Sequence, residues 1–322
     1  MRIVDVDVVV AGLGSSGAAA LARLGHAGAN VVGFEARGQV AERANLVLVK
    51  PGAHRLLLEL ERGRSLIDDM FALPTVRSIQ SIENPLRRSA AATGVQAHYD
   101  AAVTSIRKLE DGRMLVRAEG SNDAYRARYL IDGSGGRAPD LADLAPQLKR
   151  GHGRDSYVLS RSAYSFGMPF RTSDHIDPEG ISRTVTVARY RPGGEIGTQV
   201  LTRMGGRPPS DAVALDDFIR KAVGIRQPRV GAPQVIDIVP QFADDARRGN
   251  LLLTGDGISR VHPATARGVN LAVRDGVEAA DSVLKALRAP NGTAAERALD
   301  AYANRAMERH RAAVAESDLY LY

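Results

Sequence analysis

The feature that most constrains the fold of this chain is a glycine-rich segment near its N-terminus, Gly12–Gly17, which reads Gly-Leu-Gly-Ser-Ser-Gly. The residues before it, Val4–Val10, form a mostly β-branched run that predicts a strand, and the alanine-rich residues after it predict a helix that runs to His26. A second predicted strand, Val31–Glu35, follows Gly28. Together these segments make a βαβ unit of about 30 residues, which is typical of dinucleotide binding.

The glycines of this segment have separate physical tasks. Gly12 permits the tight turn, Gly14 lets the backbone approach a pyrophosphate, and Gly17 lets the helix pack close to the strand. Ser15 and Ser16 lie between them, and we expect both to contact the cofactor. A glycine turn with a purely structural role is the alternative. Its position between a strand and a helix favours dinucleotide binding instead.

Glu35 stands at the end of the second predicted strand, 18 residues after Gly17. A carboxylate at this position accepts hydrogen bonds from the adenosine ribose hydroxyls, and we expect Ala36 beside it to lie at the same site. An acid here favours the unphosphorylated ribose of FAD or NAD over NADP, because it would repel a 2′-phosphate. It does not distinguish FAD from NAD.

A second loop near the C-terminus, within Leu251–Asn270, makes that distinction. Gly255 and Asp256 end a predicted buried strand, so that a carboxylate faces a polyol chain. The helix predicted from Gly268 aims free backbone N–H groups and a positive dipole at whatever lies before it. Because a reduced flavin is anionic at its N1–C2=O edge, this helix terminus would favour the reduced state. The loop therefore predicts FAD.

The same loop resembles that of the FAD-dependent monooxygenases of the p-hydroxybenzoate hydroxylase fold, and in particular the ubiquinone-biosynthesis hydroxylase branch. The resemblance covers both ends of the chain and is thin in the middle. It implies that Asp256 binds the flavin ribityl chain and that Pro263 walls the isoalloxazine. It also implies contacts to the pyrimidine edge from the backbone of Gly268, Val269 and Asn270.

Two further positions match the family outside this loop. Arg43, just after the βαβ unit, matches an arginine that reaches the ribityl chain and the phosphates, although a surface arginine is the alternative. Val103 matches the position whose backbone meets the adenine.

Three departures from the family pattern stand out. The usual Gly-Asp-Ala-Ala-His is here Gly-Asp followed by Gly257, Ile258 and Ser259, and a usual glycine is replaced by Ala266. The middle motif, usually Ala-Asp-Gly, is Gly133–Gly135 with a central serine, which is closer to flavin-dependent halogenases and geranylgeranyl reductases. This last change favours a separate flavin reductase as the electron source over direct reduction by NAD(P)H.

The function implied by the resemblance is hydroxylation or epoxidation of an apolar or aromatic small molecule through a flavin C4a-hydroperoxide, with NAD(P)H as the direct or indirect reductant. Two alternatives stay open. Ser134 favours an FAD-dependent reductase or halogenase, and the altered segment Gly257–Ser259 favours a non-redox cyclase or binding protein that uses FAD as a scaffold.

No catalytic acid or base is evident, and His262 is the one weak candidate. It could transfer protons near neutral pH, but a histidine beside a flavin is more often packed and hydrogen-bonded. Four aromatic residues of the middle segment line either a substrate pocket or a core: Tyr157, Tyr164, Phe166 and Tyr190.

The whole pattern predicts an α/β fold, with a discontinuous Rossmann-like FAD-binding domain at 1–155 and 245–322. An inserted antiparallel-sheet substrate domain is predicted at 156–244, where short strands alternate with Pro/Gly-rich turns. Later helices are predicted at 53–70, 85–93, 268–288 and 293–316, the last with a capping box that starts at Thr293.

Composition excludes several other classes of protein. Net charge is +6, but only five of the 43 basic residues are lysine and the arginines are scattered, which disfavours a nucleic-acid partner. The seven histidines are dispersed and cysteine is absent, so no metal site is predicted. No apolar run reaches the about 20 residues of a membrane span. Asp5 and Asp7 stand where a signal peptide has basic residues, so we expect a cytoplasmic protein.

Overall fold

A computed structural model describes residues 2–41, 45–61, 75–139, 148–150, 155–162, 170–180, 182–190, 197–203, 211–225 and 228–319. Within these residues the helices are α1 (Ser15–His26), α2 (Pro51–Leu60), α3 (Gln80–Ala91), α4 (Ala212–Ala222), α5 (Gly268–Leu287) and α6 (Gly292–Asp318). The strands are β1 (Arg2–Ala11), β2 (Val31–Phe34), β3 (Leu46–Val49), β4 (Thr75–Ser78), β5 (Gln96–His98), β6 (Val103–Lys108), β7 (Met114–Ala118), β8 (Asp123–Asp132), β9 (Leu148–Arg150), β10 (Asp155–Ser162), β11 (Phe170–Ile176), β12 (Ser182–Tyr190), β13 (Gly197–Arg203), β14 (Gln234–Ile238), β15 (Gln241–Ala243), β16 (Arg247–Arg248), β17 (Leu251–Leu253) and β18 (Ser259–Arg260).

The largest sheet has the strand order β16-β17-β8-β1-β2-β5, and β7 and β6 continue from β8. Strands β17, β8, β1, β2 and β5 run parallel, as the predicted βαβ unit requires. Val8, Val9 and Val10 in the central strand are fully buried. An unbroken apolar run is expected for a parallel strand whose two faces are both covered. The predicted α/β fold class is confirmed.

Helices α1 and α5 pack against each other so closely that glycine is needed at the contact. A Cβ on Gly276 of α5 would lie 2.1 Å from the carbonyl oxygen of Ser16 in α1, and a Cβ on Gly17 would lie 1.8 Å from the carbonyl oxygen of Gly12. Both distances are far below a van der Waals contact. The N-terminal turn of α1 is therefore held between β1 and α5.

Helix α3 begins earlier than predicted, at Gln80, and includes Pro85 in its interior. A proline has no N–H to donate to the carbonyl four residues earlier, which here belongs to Ser81. The guanidinium of Arg77 donates to that carbonyl at 2.5 Å and satisfies it from outside the helix. Helix α2 ends at Leu60, and residues 62–70 of the predicted helix lie outside the described residues.

The cap of the last helix differs from the prediction. Asn291 is the N-cap residue, with extended backbone, and its Oδ1 accepts a hydrogen bond from the Ala294 amide at 3.0 Å. The prediction of Thr293 as the cap was wrong, because the helix already begins at Gly292. Glu296, the other half of the predicted capping box, forms an ion pair with Arg247 instead.

The middle of the chain forms an antiparallel sheet with the order β11-β12-β13-β10-β14. One face of it packs on α4, where Val158, Val185 and Val200 meet Leu215 and Ile219. The short strands were predicted, but α4 was not, although its N-cap Asp211 is an ordinary start signal. The domain boundaries at 155/156 and 244/245 stay a prediction. No helix of the described residues is long and apolar enough to span a bilayer.

Candidate functional site

The turn between β1 and α1 has the conformation that its glycines predict. Gly12 has φ +83°, and a Cβ at this position would lie 2.7 Å from the backbone nitrogen of Ser134. Gly14 is the N-cap of α1 and provides no side-chain cap, and the first turn contains no acidic residue. The first amides of α1 are thus available to an anion such as a pyrophosphate.

Glu35 directly follows β2 and is only 3% exposed. Its Oε2 accepts a hydrogen bond from the Leu13 amide at 2.8 Å, and its Oε1 accepts one from Arg37 Nε at 2.8 Å. Burial alone would raise the pKa of the Glu35 carboxyl, but the hydrogen bonds and charge of Arg37, with the Leu13 amide, hold that pKa below its usual value. A carboxylate is thus fixed beside the glycine turn.

Two buried residues of α3 brace the same turn, and sequence reasoning missed both. The guanidinium of Arg87 donates twice to the carbonyl oxygen of Leu13, at 2.9 and 3.0 Å, and also to the carbonyl oxygens of Gly38 and Gln39. Glu83 accepts a hydrogen bond from the Ser15 hydroxyl at 3.0 Å. Nothing in the local pattern of α3 distinguishes these side chains from ordinary surface charges.

Ala36, Val103 and Arg43 are the other positions predicted for this half of the site. Ala36 is exposed, directly after Glu35. The Ala101 amide donates to the backbone carbonyl of Glu35 at 2.9 Å, and the half-buried Val103 begins β6 two residues later. Arg43 lies outside the described residues.

The second predicted loop lies against the first through Thr254, which sequence reasoning also missed. The Thr254 hydroxyl lies 3.0 Å from the Ser16 hydroxyl and 2.8 Å from the carbonyl oxygen of Asp132. Gly255 follows with φ +55°, in a 3₁₀ turn, and Asp256 is exposed on that turn. Segments from three distant parts of the chain therefore meet at one threonine.

Asp132 explains one departure from the family pattern. Its buried carboxylate accepts hydrogen bonds from the amides of Ser134 and Gly136, at 2.9 and 3.2 Å, while burial raises its pKa. A Cβ on Gly257 would lie 3.3 Å from Asp132 Oδ2, which is tighter than an ordinary contact. Glycine in place of the usual alanine thus leaves room for this carboxylate.

The end of the second loop leads into α5. Pro263 is exposed in a short 3₁₀ turn, and Ala266 has φ +49°, a left-handed conformation that favours the glycine usual in the family. The Asn270 side chain accepts a hydrogen bond from the Lys50 amide at 2.7 Å and donates to the Leu48 carbonyl at 2.8 Å. Neither the N-cap of α5 nor its first turn carries a capping side chain or an acid, and Gly268 and Val269 in that turn are half-buried.

His262 is fully buried. Its Nε2 lies 3.0 Å from the Tyr157 hydroxyl of β10, and its backbone amide donates to Ser317 Oγ at 2.6 Å. This is the geometry of a packed, hydrogen-bonded histidine. Of the other predicted pocket aromatics, Tyr164 and Phe166 lie outside the described residues, as does the side chain of Tyr190.

The arrangement fits a bound FAD on its own chemistry. Two helix N-termini without capping side chains, those of α1 and α5, supply amide donors for phosphates and for the anionic edge of a flavin. Two carboxylates, Glu35 and Asp256, stand at the ends of β2 and β17, where ribose and ribityl hydroxyls need acceptors. Ligands of such folds bind beyond the carboxyl ends of the parallel strands.

Comparisons with known proteins agree with this geometry. PqsL, a probable FAD-dependent monooxygenase from Pseudomonas aeruginosa, has a TM-score of 0.72 and 18% identity, covering 98% of this chain and 95% of that one. The Diels–Alderase PyrE3 of pyrroindomycin biosynthesis has a TM-score of 0.76 and 16% identity, covering 97% of this chain and 72% of that one. At these identities the likeness shows a shared fold.

A curated relative and a family model add sequence-level matches. The ferredoxin–NADP reductase of Parvibaculum lavamentivorans is 32% identical over 135 residues, 41% of this chain and 34% of that protein, so the match spans well under half of the relative's length. The family model described as FAD binding domain matches residues 49–317, more than half of the chain. The chain therefore belongs to the FAD binding domain family, and it has the predicted p-hydroxybenzoate hydroxylase fold.

Proposed function

We propose that this protein is a FAD-dependent oxidoreductase, and specifically a monooxygenase that hydroxylates or epoxidises an apolar or aromatic small molecule. The observation that carries the proposal is the contact of Thr254 with Ser16, because it brings the loop at 254–270 onto the N-terminus of α1. A single extended dinucleotide can then lie across both loops. The full-length likeness to a probable FAD-dependent monooxygenase supports the same reading.

We assign the parts of FAD to residues as follows. The turn before α1 takes the pyrophosphate, Glu35 the adenosine ribose, Asp256 the ribityl chain, and the N-terminus of α5 the pyrimidine edge. The residues in these roles are Gly12, Gly14, Ser15, Ser16, Gly17, Glu35, Ala36, Arg43, Val103, Gly255, Asp256, Pro263, Gly268, Val269 and Asn270. When bound, FAD supplies the redox chemistry by storing electrons and passing them to oxygen.

The protein's own contribution is position and exclusion of water. The contact between Tyr157 and His262 holds the antiparallel sheet against the flavin loop, so the substrate would lie between that sheet and the isoalloxazine. Both side chains are buried, which supports a packing role for His262 over proton transfer. We therefore propose no catalytic acid or base among the described residues.

Electrons come from NAD(P)H, and we propose that a separate flavin reductase delivers them. Ser134 stands at the motif that usually serves both cofactors, but here its hydroxyl accepts hydrogen bonds from the amides of Arg137 and Ala138, both at 3.0 Å. The serine is therefore engaged in shaping its own loop. This supports indirect reduction.

A second candidate function has one specific observation in its favour. A protein of this fold that covers 97% of the chain is a Diels–Alderase, whose reaction forms carbon–carbon bonds without net redox change. In that case FAD would act as a scaffold for a non-redox cyclase.

One experiment separates the two functions. The FAD-loaded chain is reduced without oxygen, by NADH, by NADPH, or by either with a flavin reductase, and is then mixed with air and a panel of aromatic and alkene compounds. We expect rapid reduction only with the reductase, and an oxygenated product that requires both oxygen and reduced flavin. A product that forms equally well with oxidised flavin and no reductant would exclude the monooxygenase. Turnover without oxygen would instead indicate a reductase.

A further inference from the structure

A buried network of three hydrogen-bonded polar side chains lies behind the turn that carries Asp256. Ser259 Oγ lies 2.6 Å from Nδ1 of His310, and Nε2 of the same histidine lies 2.7 Å from Asp275 Oδ2. All three residues are at most 2% exposed. Asp275 also accepts a hydrogen bond from the Gly255 amide at 3.1 Å, so this network is bonded directly to the second loop.

The three residue types are those of a serine hydrolase triad, but their placement excludes that function. A nucleophilic serine must reach a substrate, whereas Ser259 is buried against α6. The Ser259 hydroxyl, both ring nitrogens of His310 and both oxygens of Asp275 each have a hydrogen-bond partner. With a proton on Nε2, the imidazole can donate to Asp275, and Nδ1 can then accept from the Ser259 hydroxyl. The arrangement is structural, and it rigidifies what it touches.

The network of Ser259, His310 and Asp275 holds both ends of the short turn Gly255–Gly257. Asp275, on α5, holds the amide of Gly255 at the start of the 3₁₀ turn, and Ser259 follows two residues after the end of that turn. His310, on α6, bonds both. Asp256 lies between the two anchored points. Arg309, the neighbour of His310 on α6, also donates to Asp275, at 2.9 Å, but His310 is the residue that joins Asp275 to Ser259.

Helix α6 supports the loop at further points on the same face. The Tyr302 hydroxyl donates to the carbonyl of Leu253, the last residue of β17 before the turn, at 2.6 Å. Ser317 accepts from the amide of His262, which follows the turn, at 2.6 Å. Tyr302, His310 and Ser317 are spaced eight and seven residues apart, which places them on one face of a helix. Helix α6 thus contacts the second loop before and after the turn that carries Asp256.

We propose that His310 is a positioning residue, which clamps the turn Gly255–Gly257 in the geometry that binds the ribityl chain of FAD. This inference rests on the proposed role of Asp256. It predicts that loss of the imidazole weakens the flavin half of the site and leaves the adenosine half, built on Glu35 and the turn before α1, unchanged.

Two substitutions separate the halves of the clamp. In His310→Asn the amide lies near the position of Nδ1 and keeps Ser259 but loses Asp275, while in His310→Gln the longer side chain keeps Asp275. Ser259→Ala removes only the hydroxyl and is the milder variant should the others unfold. His175→Gln, in β11 of the antiparallel sheet, is the control.

The measurements are FAD affinity by flavin fluorescence, ADP affinity by competition, and the visible circular dichroism of bound FAD, at a temperature where far-UV circular dichroism shows each variant folded. We expect FAD binding about tenfold weaker in His310→Asn, less affected in His310→Gln and Ser259→Ala, with ADP affinity within about twofold of the wild type. The circular dichroism of bound FAD should change in the same order.

Equal losses of FAD and ADP affinity, or no loss of either, would overturn the clamp. A wild-type chain that binds ADP but not FAD would overturn the proposed function as well. Normal FAD affinity in His310→Asn, beside a loss in Asp256→Asn, would overturn the clamp alone.

Discussion

Glu35 shows at the scale of one residue how a buried carboxylate stays charged in this fold. Its two oxygens are bonded to the Leu13 amide and to Arg37, and the Arg87 guanidinium lies 3.4 Å away. Each of these donors favours the ionised form and offsets the loss of hydration. The ion is thus maintained at the place where a ribose needs a hydrogen-bond acceptor.

The lowered pKa of Glu35 predicts how FAD affinity depends on pH. A carboxyl whose pKa is lowered in the folded chain stays ionised, and able to accept hydrogen bonds from FAD, until pH falls through that lower value. We therefore expect FAD affinity to be constant from about pH 8 to about pH 6. It should fall only in acid, below the usual glutamate pKa of about 4.3. Fluorescence titration across this range checks it. A loss of affinity already between neutral pH and pH 6, absent from Glu35→Gln, would show that this pKa is raised instead.

At the scale of elements, α3 and α6 act as supports whose contacts are made far along the chain. Arg87 bonds Leu13, 74 positions earlier, and α6 contributes Tyr302 and Ser317 to the second flavin loop. Each helix presents an apolar face to the core, as its periodicity predicts, and adds a few polar side chains from the same face. These side chains fix the backbone of both loops.

Arg87 and its neighbour on α3 make a matched test. Arg87→Lys keeps the charge but loses the planar fork that serves Leu13, Gly38 and Gln39 together, so we expect unfolding in urea to require about 3 kcal/mol less free energy. Arg88, exposed on the same helix, should tolerate lysine within about 0.5 kcal/mol. Equal effects of the two substitutions would show that Arg87 does not brace the turn.

The start of α6 gives a second prediction at this scale. Asn291→Ala removes the side chain that caps the helix and should cost about 1 kcal/mol of stability. Thr293→Ala lies inside the helix and should be neutral or slightly stabilising. Chemical denaturation of both variants checks the pair, and the reverse order would restore Thr293 as the cap.

Across the whole molecule, the sequence predicts the features that depend on neighbouring residues, and it does not predict contacts between residues far apart in the chain. The turn at Gly12–Gly17, the parallel strands and the long helix α5 follow from local signals, such as β-branched runs, glycines and period, and the structure confirms them. The contacts of Thr254 have no such signal, because its partners Ser16 and Asp132 lie 238 and 122 positions away along the chain. Helix α4 lies in the middle segment, for which the sequence predicts only short strands and turns.

The central claim concerns the molecule as a whole: one FAD binds across both glycine loops. The most direct test titrates FAD into the purified wild-type chain and into two glycine variants. Gly17→Ala places a methyl group 1.8 Å from the Gly12 carbonyl oxygen, whereas Gly52→Ala, at the exposed start of α2, meets nothing within 4 Å. We expect saturable binding of one FAD per chain in the wild type and in Gly52→Ala, and its loss in Gly17→Ala. A folded wild-type chain that binds no FAD, or undiminished binding in Gly17→Ala, would contradict the claim.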